Sequence, residues 1–478
     1  MTCFRAQALG GLICTAVAAC SMGPTYHRPD IAPPTQWHEA ADATAGVAPA
    51  TSPVATSPPA ASPWPETGWW HGFGSPQLDD LIAEAERNND DLAGAIARVQ
   101  EADAQVRIAG APLFPTLDLS ADATRERTVV PGNGPRLTNI FNPGITASYE
   151  LDFWGKNRAL RNSARAAAAA SRYDQQTVAL TVVRSVAGTY FQALEFLDRL
   201  QIARQNLENG QKILRGLKLQ QSAGTATGLD VAQQETAVAL LEAAIPPLLQ
   251  QSRQAVYALA VLVGRTPESI DVTSGSLAKI SRPAIAAGLP SQLLSRRPDV
   301  AEAEQQLIAA NADIAAARAA LFPNITLTAS GGYESAKLAS LINPANRVYA
   351  LSGGLTQPIF HGGALRGQVS YSNARYTELL TTYHKTVLTA FSNVESALVA
   401  ARQTADQQER QRDAVAKARR AFEFAQIQMS AGTVNILTVL NTENALFSAQ
   451  DVLVQVEYSQ LQALIDLYTA LGGGWQQG

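Results

Sequence analysis

The chain has 478 residues, a formal net charge of −4, 16% charged residues and 6% aromatic residues. An ordinary soluble domain carries about 25% charged residues, so this chain is predicted to have an under-charged surface. A nucleic-acid partner would need a clustered basic face, and the negative balance argues against one. No run of about 18 apolar residues occurs, so membrane-spanning helices are not expected. The high alanine content favours closely packed helices.

The N-terminus has the features of a secretory signal over residues 1–19, where Arg5 precedes a short apolar stretch. Val17-Ala18-Ala19-Cys20 resembles the bacterial lipobox, in which the cysteine becomes the lipidated first residue of the mature chain. The alternative is an ordinary signal cleaved near Ala19, with Cys20 incidental. We expect lipidation at Cys20, and the Ser21 that follows points to sorting to the outer membrane.

A stretch rich in alanine, proline, serine and threonine follows, from Glu39 to Pro65. It has few large apolar side chains, so it cannot bury enough surface to offset the entropy of ordering the chain. We therefore predict that residues 20–65 are a lipidated N-terminus and a flexible tether, which provides reach between the lipid and the folded body.

Three landmarks recur in the same order about 208 residues apart, which indicates a duplicated unit. Leu113-Phe114-Pro115 recurs as Leu321-Phe322-Pro323, Phe153 and Gly155 recur as Phe360 and Gly362, and Ala223-Gly224-Thr225 recurs as Ala431-Gly432-Thr433. Residues 66–270 are predicted to form the first structural repeat and residues 271–478 the second. Each repeat should contain a helix, two strands and a long helical hairpin.

Hydrophobic periodicity predicts the elements of each repeat. Helices are predicted over 76–110 and 298–320, and each is followed by residues that alternate between apolar and polar. This alternation predicts four strands of about ten residues, joined in pairs by polar loops near 126–140 and 335–346.

Beyond the strands, residues 156–222 contain no proline and are predicted to form one helix of about 100 Å. Apolar residues at intervals of seven, such as Val186, Ala193 and Leu200, indicate coiled-coil packing. Pro246-Pro247 should kink or break the helix that follows.

Four strands of this length can cross a membrane but cannot close a barrel, and an open sheet edge is not tolerated in lipid. If the strands span, several chains must share one barrel, and the acids Asp118, Glu150 and Asp152 would face its lumen. Two soluble hairpins packed on helices are the alternative. The secretory signal and the acids favour the shared pore.

Several stretches resemble the TolC family of outer-membrane channels, in its NodT-like and OprM-like lipoprotein branch. The matching residues, whose order and spacing make the resemblance specific, are Trp69-Trp70, Phe73, Leu78, Tyr149-Glu150-Leu151-Asp152-Phe153-Trp154-Gly155-Lys156, Arg296-Arg297-Pro298-Asp299-Val300, Phe322-Pro323, Pro358-Ile359-Phe360, Gly362-Gly363, Leu365-Arg366-Gly367 and Leu471-Gly472-Gly473-Gly474-Trp475.

The resemblance implies a membrane protein of mixed α and β fold, anchored by lipid in the outer membrane of a Gram-negative bacterium. Each chain of a homotrimer would give four strands to a twelve-stranded barrel and long helices to a coiled-coil-like periplasmic barrel. The partners implied are a periplasmic membrane-fusion adaptor and an inner-membrane pump, of the RND type. The protein would be a passive exit channel of a tripartite efflux or export system, through which drugs and toxic compounds leave.

The same resemblance implies functional positions at the helix tips. Gly224, Thr225, Gly432 and Thr433 would contact the adaptor, although glycine and threonine are also ordinary turn residues. Leu437 and Asn441, at i and i+4 on one helix face, are candidates for a periplasmic gate. Asn441 stands where relatives often carry Asp. Asp230 is a third gate candidate, but it can equally cap a helix start.

No nucleophile with a His/Asp partner, no phosphate-binding glycine loop and no cluster of metal ligands is recognisable in the sequence. We therefore expect no enzyme activity, no cofactor and no metal. A lipid-tethered periplasmic helical scaffold or adhesin without a pore remains the alternative function.

Overall fold

The computed structural model describes residues 23–38, 64–130, 132, 134–272, 275–283, 285 and 288–475. The predicted signal, the predicted lipidation site Cys20 and most of the predicted tether lie outside these residues. Contacts divide the chain into two compact units. Unit 1 comprises the chain up to Ile31 with Ala97–Tyr173 and Glu302–Lys385, and unit 2 comprises Ala32–Ile96, Asp174–Ala301 and Thr386–Gly478.

The elements of the described residues follow one order twice. The helices are α1 (Pro76–Asn88), α2 (Asp90–Gly110), α3 (Lys156–Ser222), α4 (Gly228–Leu262), α5 (Pro290–Leu293), α6 (Pro298–Ala319), α7 (Ala364–Ser430) and α8 (Ile436–Ala470), and the strands are β1 (Thr116–Val130), β2 (Gly134–Leu151), β3 (Asn324–Tyr333) and β4 (Arg347–Thr356). Helices α3 and α7 each have 67 residues, and α4 and α8 each have 35. The equal lengths confirm the duplication, while the bounds 66–270 and 271–478 stay a prediction.

The stretch 76–110, predicted as helical throughout, consists of two helices that meet at Asn89. The Asn89 Oδ1 accepts a hydrogen bond from the amide of Leu92 at 3.0 Å, and its Nδ2 donates to the carbonyl of Leu262 at 2.8 Å. An asparagine that caps a new helix in this way ends the previous one, because the capping residue has an extended backbone.

The two prolines of α4 do not break the helix, contrary to one of the expectations above. Helix α4 runs from Gly228 to Leu262 with Pro246 and Pro247 inside it. Each proline removes an amide donor, which frees a carbonyl one turn earlier. Both prolines are exposed, so water can hydrate the freed carbonyls and the helix continues.

The four strands form one antiparallel sheet in the order β1-β2-β3-β4. Thr116 pairs with Ser148, Leu151 with Ile325 and Asn324 with Thr356. Strands β3 and β4 have ten residues as predicted, whereas β1 has 15 and β2 has 18. Strands β1 and β4 are the two outer edges of this sheet.

The predicted loop at 126–140 is wrong, because β1 continues to Val130 and β2 begins at Gly134. Arg125, Glu126 and Arg127 pair across the hairpin with Asn139, Thr138 and Leu137. The alternation of apolar and polar side chains stops before the backbone pairing ends. For this reason the sequence pattern did not indicate the outer ends of β1 and β2. The loop at 335–346 lies between β3 and β4 as predicted, with two short 3₁₀ turns.

Part of the predicted tether packs on the folded body. The Trp37 side chain is 2% exposed, its Nε1 donates to the carbonyl of Gly288 at 2.6 Å, and its ring lies 6.2 Å from that of Phe391. In unit 1, Arg28 pairs with Glu304 at 3.2 Å. The described residues 23–38 are therefore held in place by side-chain contacts.

Candidate functional site

The sheet of unit 1 has one apolar face and one polar face. Cross-strand partners share a face, so the register places Leu119, Ile145 and Tyr349 together with Gly331 in one row. On this face Leu119 is 79% exposed and Leu351 is 81% exposed. The opposite face is rich in Thr and Ser, for example in the row of Thr146, Asp118 and Ser330.

Two of the three predicted lumen acids lie on the polar face. Asp118 is exposed on β1, and Glu150 on β2 pairs with Lys156 at 2.6 Å. Asp152 lies beyond the end of β2 instead. Its carboxylate, 7% exposed, accepts hydrogen bonds from the amides of Asn157 and Arg158 at 2.9 and 2.8 Å. Asp152 thus caps the start of α3 and is not part of the polar face.

At the other end of α3 and α7, the two helix tips use the same turn. Gly224 and Gly432 both have φ of +73°, a conformation that glycine adopts without strain. Thr225 donates its amide to the carbonyl of Gln220 at 2.9 Å, and Thr433 donates to Gln428 at 2.9 Å. The amides of Gly224 and Gly432 donate to the carbonyls of Gln221 and Met429 at 3.0 Å. Together these bonds form the Schellman motif, which ends a helix.

The helices that leave the tips are capped differently. The Thr227 hydroxyl accepts from the Asp230 amide, and the Asp230 carboxylate accepts from the Thr227 amide at 2.8 Å, which is a capping box. The Thr227 hydroxyl also donates to the Asp230 carboxylate at 2.7 Å, and this side-chain bond, followed by the bond from the Thr227 amide, holds the pKa of Asp230 below its usual value. At the second tip the neutral Asn435 accepts from the amide of Thr438 at 3.2 Å. Asp230 therefore acts as a helix cap in this structure.

The gate candidates on α8 share one exposed face. Leu437 is 49% exposed and Asn441 is exposed. The buried side of the same segment consists of Ile436, Val439, Leu440, Glu443 and Leu446. The structure therefore places Leu437 and Asn441 together, on a side of α8 that its own chain leaves open.

Glu443 was missed by sequence reasoning. Its side chain is 5% exposed, its Oε1 has no hydrogen-bond partner, and burial raises the pKa of its carboxyl to about 7. It is the one charged residue between Ile436 and Gln450, seven residues after the buried Ile436. That heptad spacing could have indicated its burial.

Among the residues with described positions, no three or more His, Cys, Asp or Glu side chains come together in a way that could hold a metal ion. None of the helices in the described ranges has the length and apolar character that crossing a membrane requires.

A sheet with an apolar outer face and a polar face, continued in each repeat by long heptad helices, defines a channel protein of the outer membrane. The sequence model of the outer membrane efflux protein family matches residues 81–265 and again residues 289–473. The chain belongs to this family, and the predicted resemblance is confirmed.

Individual relatives match over nearly the whole length. The pyoverdine export outer membrane protein OpmQ of Pseudomonas aeruginosa is 39% identical over 471 residues, which cover 97% of this chain and 96% of the relative. The cation efflux system protein CusC of Escherichia coli is 32% identical over 468 residues, covering 97% and 98%. The solved structure of the outer-membrane channel OprN matches with a TM-score of 0.86 at 26% identity, over 96% of this chain and 100% of that one.

The protein is accordingly an outer-membrane exit channel of a tripartite efflux system, located in the outer membrane of a Gram-negative bacterium and extending into the periplasm. Its fold class is the predicted one, with strands for a barrel in the membrane and long helices for a periplasmic barrel. The family is one of outer membrane efflux proteins, and the solved structure of OprN is that of an outer-membrane channel, so the tethered scaffold without a pore is set aside.

Proposed function

We propose that three copies of this chain close one twelve-stranded barrel, and that small molecules leave the cell through it chemically unchanged. The observation behind this proposal is the four-stranded sheet, whose outer strands β1 and β4 flank an exposed apolar face. Open edges are not tolerated in hydrocarbon. Pairing β1 of one copy with β4 of the next satisfies both edges in a closed ring.

The polar face of the sheet supports a passive duct, with Asp118 and Glu150 in its lumen. Serine and threonine are its commonest residues, and such small hydroxyl side chains suit a hydrated passage. The names of the relatives give pyoverdine export for OpmQ and cation efflux for CusC. Since related channels serve such different cargoes, we propose that the pump selects the cargo, from drugs and other toxic small molecules. The channel itself acts without enzyme activity, cofactor or metal.

We further propose that the two tips receive the periplasmic adaptor and, through it, an inner-membrane pump of the RND type. Gly224, Thr225, Gly432 and Thr433 are all exposed at the tips. A side-chain atom added at Gly224 or Gly432 would meet nothing within 4 Å. The turns are therefore open surfaces on which an adaptor can pack.

The lipid anchor at Cys20 and the tether up to residue 65 complete the proposal. Replacing Cys20 by Ser should abolish acyl labelling in cells while trimers still form, because the barrel and not the lipid joins the copies. Unchanged acyl labelling would show that Cys20 is not the acceptor.

Cysteine cross-linking tests the closed barrel. Thr116 on β1 and Ser352 on β4 lie in one row of the sheet, with two strands between them, and their side chains share the polar face. Because a closed barrel staggers its strands, Thr116→Cys is combined in turn with single cysteines at positions 348, 350, 352, 354 and 356 of β4. For the pair that the stagger brings together, a short thiol cross-linker should give a covalent trimer that conducts ions in planar bilayers. Each single variant, as the matched control, should stay a non-covalent trimer. A monomeric, non-conducting purified protein would overturn the proposal.

Adding a negative charge at position 441 tests the proposed gate. Asn441→Asp should raise the cation preference of the closed-state leak, since a ring of three carboxylates attracts cations. Gln233→Asp, at the same position of the first repeat, is the control and should change the preference less. Equal cation preference in wild type and Asn441→Asp across a range of salt would contradict a pore-facing Asn441.

A further inference from the structure

The charged side chains of the four strands are sorted by sign between the two faces of the sheet. Successive residues of a strand point to opposite faces, and the pairing register fixes which residues share a face. The acids of the strands all lie on the polar face, namely Asp118, Asp122, Glu126 and Glu150. Three of the four strand arginines lie on the apolar face, namely Arg125, Arg127 and Arg347, and only Arg136 lies on the polar face.

The three arginines lie at the end of the apolar face that is remote from the long helices. Helices α3 and α7 follow the other ends of β2 and β4. Since these helices extend into the periplasm, the arginine end of the sheet is the end toward the outside of the cell. We call Arg125, Arg127 and Arg347 the arginine rim.

Strand length places the arginine rim at the outer boundary of the membrane. Leu151 and Phe141 lie on the apolar face of β2, ten residues apart, which is about 34 Å along a strand. A barrel strand is tilted by about 40°, so this segment has a height of about 26 Å, close to the apolar band of about 25 Å in outer-membrane barrels. Arg125 pairs with Asn139, the next residue of β2 on this face.

Aromatic side chains mark the same boundary. Tyr333 pairs with Arg347, and Tyr349, which is 86% exposed, is the next residue of β4 on this face. Phe141 lies in the row before that of Arg125. Aromatic girdles occur where the hydrocarbon of the membrane meets the lipid headgroups. The arginine rim therefore lies at headgroup depth.

The arginine rim has no acidic partner. All three side chains are exposed, and within the described ranges none of them forms an ion pair. At the helix end of the sheet the cations are paired instead, Lys156 with Glu150 at 2.6 Å and Arg158 with Asp152 at 3.1 Å. A neighbouring copy cannot supply the missing partner from its own strands, because their apolar face carries no acid.

The chemistry of the rim fits a phosphate group. A guanidinium has five donors in a planar fork, which can bind phosphate through two parallel hydrogen bonds. Basic side chains at headgroup depth attract anionic lipids. In the outer leaflet of a Gram-negative outer membrane, phosphate at this depth belongs to lipid A, the membrane anchor of lipopolysaccharide.

We propose that the arginine rim binds the phosphate groups of lipid A. This proposal rests on the proposed closed barrel, in which each copy presents its three arginines to the surrounding lipid. The acids face the water of the lumen, and the arginines face the outer leaflet. Bound lipid A then fixes the depth of the barrel at its outer edge.

Native mass spectrometry of the purified full-length trimer tests the rim. The trimer in detergent is titrated with lipid A that carries two phosphates, and with the same lipid after both phosphates have been removed. Wild type should bind the phosphorylated lipid at least about tenfold more tightly, because charge-assisted hydrogen bonds require the phosphate. Added salt should weaken this binding. Equal affinity for the two lipids would overturn the proposal.

Substitutions on the two faces of the sheet provide a matched comparison. Arg125→Gln, Arg127→Gln and Arg347→Gln should each weaken binding about fivefold, and the triple variant about a hundredfold. Arg136→Gln removes the same charge from the polar face of the same sheet and should bind like wild type. A triple variant with wild-type affinity, or an Arg136→Gln protein with an equal loss, would contradict the rim.

Oligomeric state and conductance of the same samples separate the rim from the barrel. Conducting trimers whose affinity for lipid A is the same in wild type and the triple variant would contradict the rim and support the closed barrel. A monomeric, non-conducting wild type would contradict the closed barrel, on which the rim rests. Phosphatidylglycerol that binds as tightly as lipid A would contradict the assignment to lipid A.

Discussion

The first tip, between α3 and α4, and the second tip, between α7 and α8, close with the same hydrogen bonds. In both, a threonine amide reaches back five residues at 2.9 Å and a glycine has φ of +73°. Behind the turns the two tips differ. Glu235 of the first tip is exposed and pairs with Lys218 at 2.8 Å, while the equivalent Glu443 is buried.

This difference shows which part of a duplicated hairpin is constrained by geometry. The turn requires a left-handed residue and a fixed set of carbonyl partners, so both copies keep glycine and threonine. The helix faces behind the turn only need to pack against whatever surrounds them. The same residue type at the same position can therefore be a solvated surface group in one repeat and an uncompensated buried acid in the other.

Replacing each of these glutamates by leucine should give the largest contrast between the tips. At pH 8, Glu443→Leu should stabilise the second tip by about 3 kcal/mol, since the shift from 4.5 to about 7 corresponds to that much unfavourable burial. Glu235→Leu should change the stability of the first tip by less than about 0.5 kcal/mol. Local stabilities from hydrogen exchange at each tip measure both values. Equal effects at the two tips would contradict the difference in burial.

Replacing the turn glycines should affect both tips alike. Gly224→Ala and Gly432→Ala should each destabilise their tip by about 1 kcal/mol, because alanine is strained at positive φ. No steric clash adds to this, since a Cβ would meet nothing within 4 Å. The measurement is the same local exchange, and a cost at one tip only would show that the turns are not equivalent.

Removing the caps should produce the smallest effects, with a different pH dependence at each tip. Thr227→Ala and Asn435→Ala should each cost about 1 kcal/mol or less at pH 7. The Asp230 pKa is lowered from 3.8, so the capping box contributes fully above that pH and is lost as the pH falls below it. The cost of Thr227→Ala should therefore decrease below pH 3.8, while that of Asn435→Ala stays constant between pH 3 and 7. A constant cost for both variants would contradict the role of Asp230.

Sequence reasoning succeeded where local rules decide the structure. The predicted helix 156–222 matches the bounds of α3, Lys156–Ser222. The stretch contains no proline, and the glycine at 224 ends it. Sequence reasoning failed where contacts with residues distant in sequence decide the length or burial of an element. Backbone pairing extends β1 through Arg125–Arg127 without an apolar pattern. The burial of Glu443 depends on how α8 packs against its neighbouring helices, and within α8 only the heptad distance from Ile436 indicates it.

The pairing of β2 with β3 has a consequence for the order in which the molecule folds. Each long helix meets its hairpin partner a few residues after its end, so both hairpins can form from local contacts as the chain is made. Leu151, in contrast, can pair only when Ile325, far along the chain, has become available. Until then the first strand pair exposes an unprotected edge, and such edges are prone to aggregation. The secreted chain therefore passes through a stage in which its helices can be formed and its sheet is only half assembled.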